Sequence, residues 1–364
     1  MASASKSQSR LAYIDWTRGL AALIMLQGHV FHSFTRTDLR QESPYILSQF
    51  VGGMPPAIFL FLTGVTLSFL MDSRERKGEP AGSRVVTAFR RSGYLFAVAF
   101  LFRLQLWAFG LPYGSWKDLF KVDILNCMGL SIAVLSLMAV FRTAERVRLC
   151  AIVGVLIAAA SPLISQLDLS ALPFYLRDYI VPAHQLFPFF PWAAFVAFGM
   201  SAGSVIRIIR KDQTDRFMQW TAIAGFGLIV FSQYLADLPY SFYSNSDFWL
   251  NSPALIFIKL GVVLLMLSGA YIWTAYGPSE KWSWVRVFGT SSLLVYWVHT
   301  EIVYGRWFWF WKEGLTSGQT IAVAAGVIAL MLVLSVVKKN WKNWRGLRLS
   351  YYYPYFVPRQ ASGD

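Results

Sequence analysis

The chain has little cysteine, little charge and none of the common nucleotide-binding loops. Its two cysteines, Cys127 and Cys150, are too few for a disulfide framework, and no zinc or redox motif can be built from them. Charged residues make up only 14% of the 364 positions, well below the quarter or so usual in soluble domains, and acidic residues are the scarcer kind, 19 against 33 Lys and Arg. There is no Walker loop, no dinucleotide-binding glycine fingerprint and no internal repeat, so ATP-driven chemistry, nicotinamide chemistry and solenoid architectures lose their usual support. The polar first ten residues precede an apolar run that is too long for a secretory signal and lacks a small-residue cleavage site, so this first helix is expected to be retained.

What is there is apolar: 56% hydrophobic residues and 17% aromatic ones. Stretches of about twenty apolar residues, each long enough to cross a hydrocarbon layer of about 30 Å, recur along almost the whole chain. They predict an all-α, polytopic membrane protein of about ten spans, near 12–34, 46–71, 87–110, 119–141, 149–166, 184–206, 217–236, 250–275, 286–311 and 318–337. Pro55 and Pro56 point to a kinked or re-entrant start to the second span. Pro162, Pro173 and Pro182 mark an irregular loop at 166–184.

Lys and Arg fall in alternate connections: Lys6 and Arg10, Arg74 to Arg84, Arg142 to Arg148, Arg207 to Arg216, Lys281, and Lys338 onward. The positive-inside rule places these connections, and both termini, in the cytoplasm of a cell (inner or plasma) membrane protein. The net charge of +14 is then a topology signal, and nucleic acid is not an expected partner. The domain plan is a polar cytoplasmic N-terminus at 1–10, one transmembrane domain at 11–337, and a basic, aromatic tail at 338–364 read as an anchor on anionic lipid. With Cys127 in the outer part of one span and Cys150 at the inner end of the next, depth argues against their pairing.

Polar residues inside spans are costly and each needs a partner or a task. Under the predicted topology, His29, His32, Arg103, Gln105, Asp123, Asn126, Lys259, His299 and Glu301 form a layer between the midplane and the outer surface. For Arg103, Gln105, Lys259 and Glu301 interhelical hydrogen bonding that fixes the packing is the favoured reading over a task. His184, before the FPFFPW stretch, reads as interfacial, as do Trp307, Trp309 and Trp311.

His29 stands apart. It follows Gly28, which is expected to leave room beside it, and imidazole is suited to proton transfer near neutral pH. Of His299 and Glu301, two apart and so on different faces, His299 is the one expected to share its chamber. Arg18 lies eleven residues before His29, almost three helical turns, so the two share a helix face roughly 16 Å apart. Asp15 and Arg18, in the DWTRG start, read either as a helix-start pair or as part of a phosphate clamp with Arg90 and Arg91 at the same depth. The second reading suits coenzyme A, with its phosphates at the cytoplasmic surface and a thioester reaching up to His29.

The stretch from Arg10 to Phe34, with Arg18 ten intervening residues before His29, resembles the first helix of the transmembrane acyltransferases. These comprise the acyltransferase 3 family and the heparan-alpha-glucosaminide N-acetyltransferase family with its bacterial relatives. FLTGVTLSF, VDILNCMGLS, FPFFPW and GTSSLLVYWVHTEIVYG resemble the second group in order along the chain. The resemblance implies transfer of an acyl group, usually acetyl, from cytoplasmic acetyl-CoA or another acyl-CoA to a glycan or other hydroxyl or amine acceptor on the far side, with no metal. It implies that Arg18 contacts the coenzyme and that His29 is the essential histidine. The lysosomal enzyme of the second group carries its active histidine in the following lumenal segment. Here Thr35 to Gln49 contains none, which favours His29 or His32 as the base.

Asp123 or Glu301 is expected to orient the imidazole, and Asn126 or Lys259 to face the oxyanion. The catalytic candidates are thus His29, as base or as nucleophile through an acyl-histidine, with His32, Asp123 and His299; the coenzyme candidates are Arg18, Arg90 and Arg91, and the acceptor candidates Asn126 and Glu301. FYLRDY and YSFYSNSDFW offer rings to a sugar. The oligomeric state stays open, a homodimer included. A secondary transporter of a small anionic metabolite is the runner-up, weakened because no interrupted helix pair repeats in two halves of the chain. A non-enzymatic scaffold would have replaceable histidines.

Overall fold

The computed structural model describes residues 11–184, 186–277 and 283–352. Lys6, Arg10, Lys281 and the tail beyond Tyr352 lie outside the described residues. Twelve α-helices make up the architecture among those described: α1 Ala12–Phe34, α2 Ser43–Gly52, α3 Pro55–Arg76, α4 Ala81–Gly110, α5 Ile124–Leu135, α6 Thr143–Ile164, α7 Phe174–Arg177, α8 Phe189–Ile208, α9 Thr214–Ala236, α10 Pro253–Tyr276, α11 Trp284–Tyr304 and α12 Ser317–Tyr352. The described residues contain no strand, only an isolated bridge between Thr35 and Leu315. The chain is an all-helical polytopic membrane protein.

Among the described residues, seven segments are both long and apolar enough to cross a bilayer: Ser43–Arg76, Ala81–Gly110, Trp116–Val140, Thr143–Ile164, Phe189–Ile208, Pro253–Tyr276 and Ser317–Trp341. The expected ten differ from these by α1, α9 and α11. Those three helices are 23, 23 and 21 residues long, enough for about 30 Å at 1.5 Å per residue, but more polar.

Three further boundaries depart from the sequence expectation. The second span is broken, because α2 ends at Gly52 and Pro55, which lacks an N–H to donate, opens a new helix. The fourth does not hold Asp123 within its α-helix: Asp123 is the residue before α5, and its carboxylate accepts from the backbone N–H of Leu125 and Asn126. The ninth stops at Tyr304 rather than 311. At the other end of the chain, α12 runs on past Lys338 to Tyr352, so the first part of the tail continues the last helix.

Two apolar clusters form the core. One draws on α3, α5, α6, α8 and α10, with Phe61, Leu62, Phe195 and Val263 at its heart; the other joins α1, α11 and α12 through Leu26, Val30, Phe288 and Val295. Phe59 and Tyr296 pack against both. Without a hydrophobic force between helices in lipid, close approach depends on small residues. A Cβ on Gly64 would meet the carbonyl of Val196 and one on Gly199 that of Phe61, which seats α3 against α8. The same device joins α1 and α11, where Gly19 faces the carbonyl of Val285 and Gly289 that of Asp15.

One end of the bundle is clasped by ion pairs. Asp72 binds Arg207 at 2.6 Å and Arg76 at 3.0 Å, while Glu75 lies 3.2 Å from the fully buried Arg146 and 3.3 Å from Arg84. These join α3, α4, α6 and α8 on the side richest in arginine. Phe89, Phe100 and Leu101 of α4 and Trp220, Phe226 and Phe231 of α9 point outward, as lipid-facing side chains do.

Candidate active site

The helices α1 and α11, in backbone contact at Gly19 and Gly289, also meet further along through two side chains. His29 Nδ1 lies 2.9 Å from His299 Nε2, with ring centroids 5.1 Å apart. His299 is fully enclosed, whereas His29 keeps partial exposure. One turn back on α11, the Val295 carbonyl oxygen lies 2.6 Å from His299 Nδ1. Tyr296 stands edge-on to His299 at 6.0 Å, and Tyr304 stands edge-on to His29 at 5.3 Å. The Tyr304 hydroxyl is 3.4 Å from Nδ1 of the exposed His32.

A loop clasp closes this end. Lys312 donates to Ser33 Oγ at 2.9 Å and to the Val303 carbonyl, and Ser33 Oγ itself donates to that carbonyl at 2.7 Å. Glu313 N–H donates to the Ser33 carbonyl and Leu315 N–H to that of Phe34, stitching the loop before α12 onto the end of α1. Arg40 bridges Glu313 at 2.9 Å and the His32 carbonyl at 3.1 Å. Partial burial pushes the Lys312 ammonium down to about 8.

The remaining sequence candidates sit elsewhere. Asp123 caps α5, pairs with Arg103 at 3.1 Å and accepts from the Asn126 side chain; its bonds go to neither histidine. Asn126 is occupied as well, accepting from the Tyr179 hydroxyl at 3.0 Å. The partner of the His29 imidazole is thus His299, itself held by the Val295 carbonyl, and not Asp123. Glu301 is buried on α11, with one oxygen accepting from Trp307 Nε1 at 3.2 Å and the other, Oε2, without a hydrogen-bond partner among the described residues. Lys259 lies 5.0 Å above the Trp192 ring. His184 is exposed, 3.9 Å from Asp247. The room expected beside Gly28 is filled, because a Cβ there would stand 3.1 Å from Gly52 Cα of α2, and Gln49 donates to the Gly28 carbonyl.

Toward the start of α1, Arg18 reaches Asp15 at 3.4 Å. Arg91 on α4 donates to Thr66 on α3 at 3.2 Å and makes no ion pair among the described residues, while Arg90 is exposed. Tyr304, Val295 and the Lys312 clasp were not foreseen. Tyr304 is one more aromatic near a helix end, where belt residues are ordinary, and a carbonyl leaves no mark in the sequence.

Residues 10–243 match the family model described as heparan-alpha-glucosaminide N-acetyltransferase, catalytic. The chain belongs to this family. The matched stretch runs through α9 and so contains Arg18, His29 and Arg91, while His299 lies beyond it. Membership makes the protein a membrane acetyltransferase. No curated protein matches the chain.

Proposed function

We propose that this acetyltransferase takes an acyl group, acetyl by family, from cytoplasmic acyl-CoA and delivers it to a glycan or other hydroxyl- or amine-bearing acceptor on the opposite side of the cell membrane. The observation that carries the reading is the bond between His29 and the enclosed His299. It holds a partly open imidazole in one orientation, as a general base requires. His32, beside Tyr304 and closer to the clasped end, serves the acceptor rather than the thioester.

In this reading the transmembrane domain covers 11–337 with ten spans, and the arginine-clasped end faces the cytoplasm. Arg18, Arg90 and Arg91 hold the coenzyme phosphates. A guanidinium suits that role, and Arg91 has only a hydroxyl partner among the described residues. Glu301 takes an acceptor hydroxyl. Its unpartnered Oε2 supports this, since a buried carboxylate oxygen costs free energy until a donor arrives.

The test uses purified protein, radiolabelled acetyl-coenzyme A and a cell-envelope extract, with the labelled product identified by mass spectrometry. His29→Gln keeps size and hydrogen bonding but loses the titratable nitrogen, so transfer falls about a hundredfold or more while coenzyme binding stays. Parental transfer by His29→Gln would remove His29 from the chemistry. Loss from His32→Gln alone would make His32 the base.

A further inference from the structure

We infer that His299 is a positioning residue that fixes the tautomer of His29, so that the nitrogen free to take a proton is His29 Nε2. The inference rests on the reading of His29 as base and adds which atom acts and what holds it.

The Val295 carbonyl oxygen has a role with no alternative. A carbonyl oxygen only accepts, so at 2.6 Å from the Val295 oxygen His299 Nδ1 must carry the hydrogen. A neutral imidazole has one N–H, which leaves His299 Nε2 as a lone pair. The doubly protonated form would put a cation in an enclosed site, and His299 has no carboxylate within ion-pair distance among the described residues. His29 Nδ1 stands 2.9 Å from that lone pair. Two lone pairs at this distance repel, so Nδ1 of His29 is the donor. Its own single hydrogen is then spent, and Nε2 is left unprotonated.

The chain runs Val295 carbonyl, His299, His29. It does for this imidazole what a carboxylate does in a hydrolytic triad, namely select the tautomer and hold the ring. It differs in having no negative charge to neutralise the imidazolium that forms. His299 cannot touch substrate, since it is fully enclosed, so its effect passes through His29.

The step balances without a further reactant. The acceptor X–H gives its proton to His29 Nε2 as X attacks the thioester carbonyl carbon. The X–C bond forms and the C–S bond breaks, and the departing thiolate recovers the proton from Nε2, giving acyl-X and free coenzyme A. During the charged interval His29 Nδ1–H donates to His299 Nε2, the ring that Val295 holds in an accepting orientation.

The experiment is nitrogen NMR of full-length protein labelled at histidine, reading which ring nitrogen of His29 is protonated at neutral pH and above, with His29→Gln used to assign its signals. The expected result is a protonated Nδ1 and a pyridine-type Nε2. Alongside it, initial rates with acetyl-coenzyme A and the envelope extract compare His299→Leu with His299→Gln. Leu removes the acceptor; kcat should fall at least about tenfold with the KM for acetyl-coenzyme A little changed. Gln offers an amide oxygen to His29 Nδ1–H and should recover part of the rate. A proton on His29 Nε2 in the parental protein overturns the inference, whatever the variants do, and so does parental kcat in His299→Leu. The broader reading falls only if His29→Gln itself is fully active, so the two failures are separable.

Discussion

Replacing Gly19 by Ala should separate α1 from α11 and, with them, the histidine pair. A Cβ at Gly19 falls on the carbonyl of Val285, and Gly289 across the crossing is equally tight against the carbonyl of Asp15. Both obstacles are backbone, so no side chain can swing aside. Carbon and oxygen sit comfortably at roughly 3.5 Å, which requires the helices to part by roughly 1–2 Å at this level. The His29 to His299 bond spans 2.9 Å, and such bonds weaken beyond about 3.2 Å. Even a small part of the displacement, transmitted along two rigid helices, breaks it.

Overpacking of this kind costs about 1–3 kcal/mol, and a misplacement of about 1 Å in a catalytic group costs about a hundredfold in rate. The assay pairs acetyl transfer with thermal unfolding in detergent, for Gly19→Ala and for Gly227→Ala, where nothing lies within 4 Å of the added carbon. Gly227→Ala should be silent in both. Parental transfer and an unchanged melting temperature in Gly19→Ala would refute the claim that this crossing sets the pair.

Asp123→Asn keeps an oxygen for the α5 cap but strips Arg103 of its counter-charge, so it should lower stability by about 3–5 kcal/mol while each folded molecule transfers at the parental rate. A rate loss without a loss of stability would return Asp123 to the chemistry. Single cysteines at Lys77 and Ser244 test the span count with a membrane-impermeant thiol reagent, since the native Cys127 and Cys150 are both buried. If α9 crosses the membrane, the two positions label from opposite sides; labelling from one side would remove α9 from the spans, in line with the apolar count that excludes it.

The sequence alone determined the properties that depend on spacing along one helix. Apolar runs located nearly every helix because hydrocarbon permits no other way to satisfy a backbone of that length. The eleven-residue interval placed Arg18 and His29 on one face of α1, and the two-residue offset of His299 and Glu301 separated their directions, leaving His299 to meet His29. The boundary read from Pro55 is a helix start, although the sequence did not reveal that Gly52 ends another helix, and Pro162, read as part of an irregular loop, lies inside α6.

What each polar group does with its partners depends on how the helices pack. Asp123 and Asn126 look like a pair offered to a cavity until Arg103 and Tyr179, 20 residues before the one and 53 after the other, are seen to occupy them. Gly28 reads as open space until α2 folds back onto it. The group that orients the histidines is a main-chain carbonyl, Val295, present at every position of every sequence and distinguished here only by where α11 lies against α1. Helical phase is a local property of the chain, whereas a hydrogen-bond partner is a relation between distant segments, fixed only when glycine-faced helices pack to contact distance.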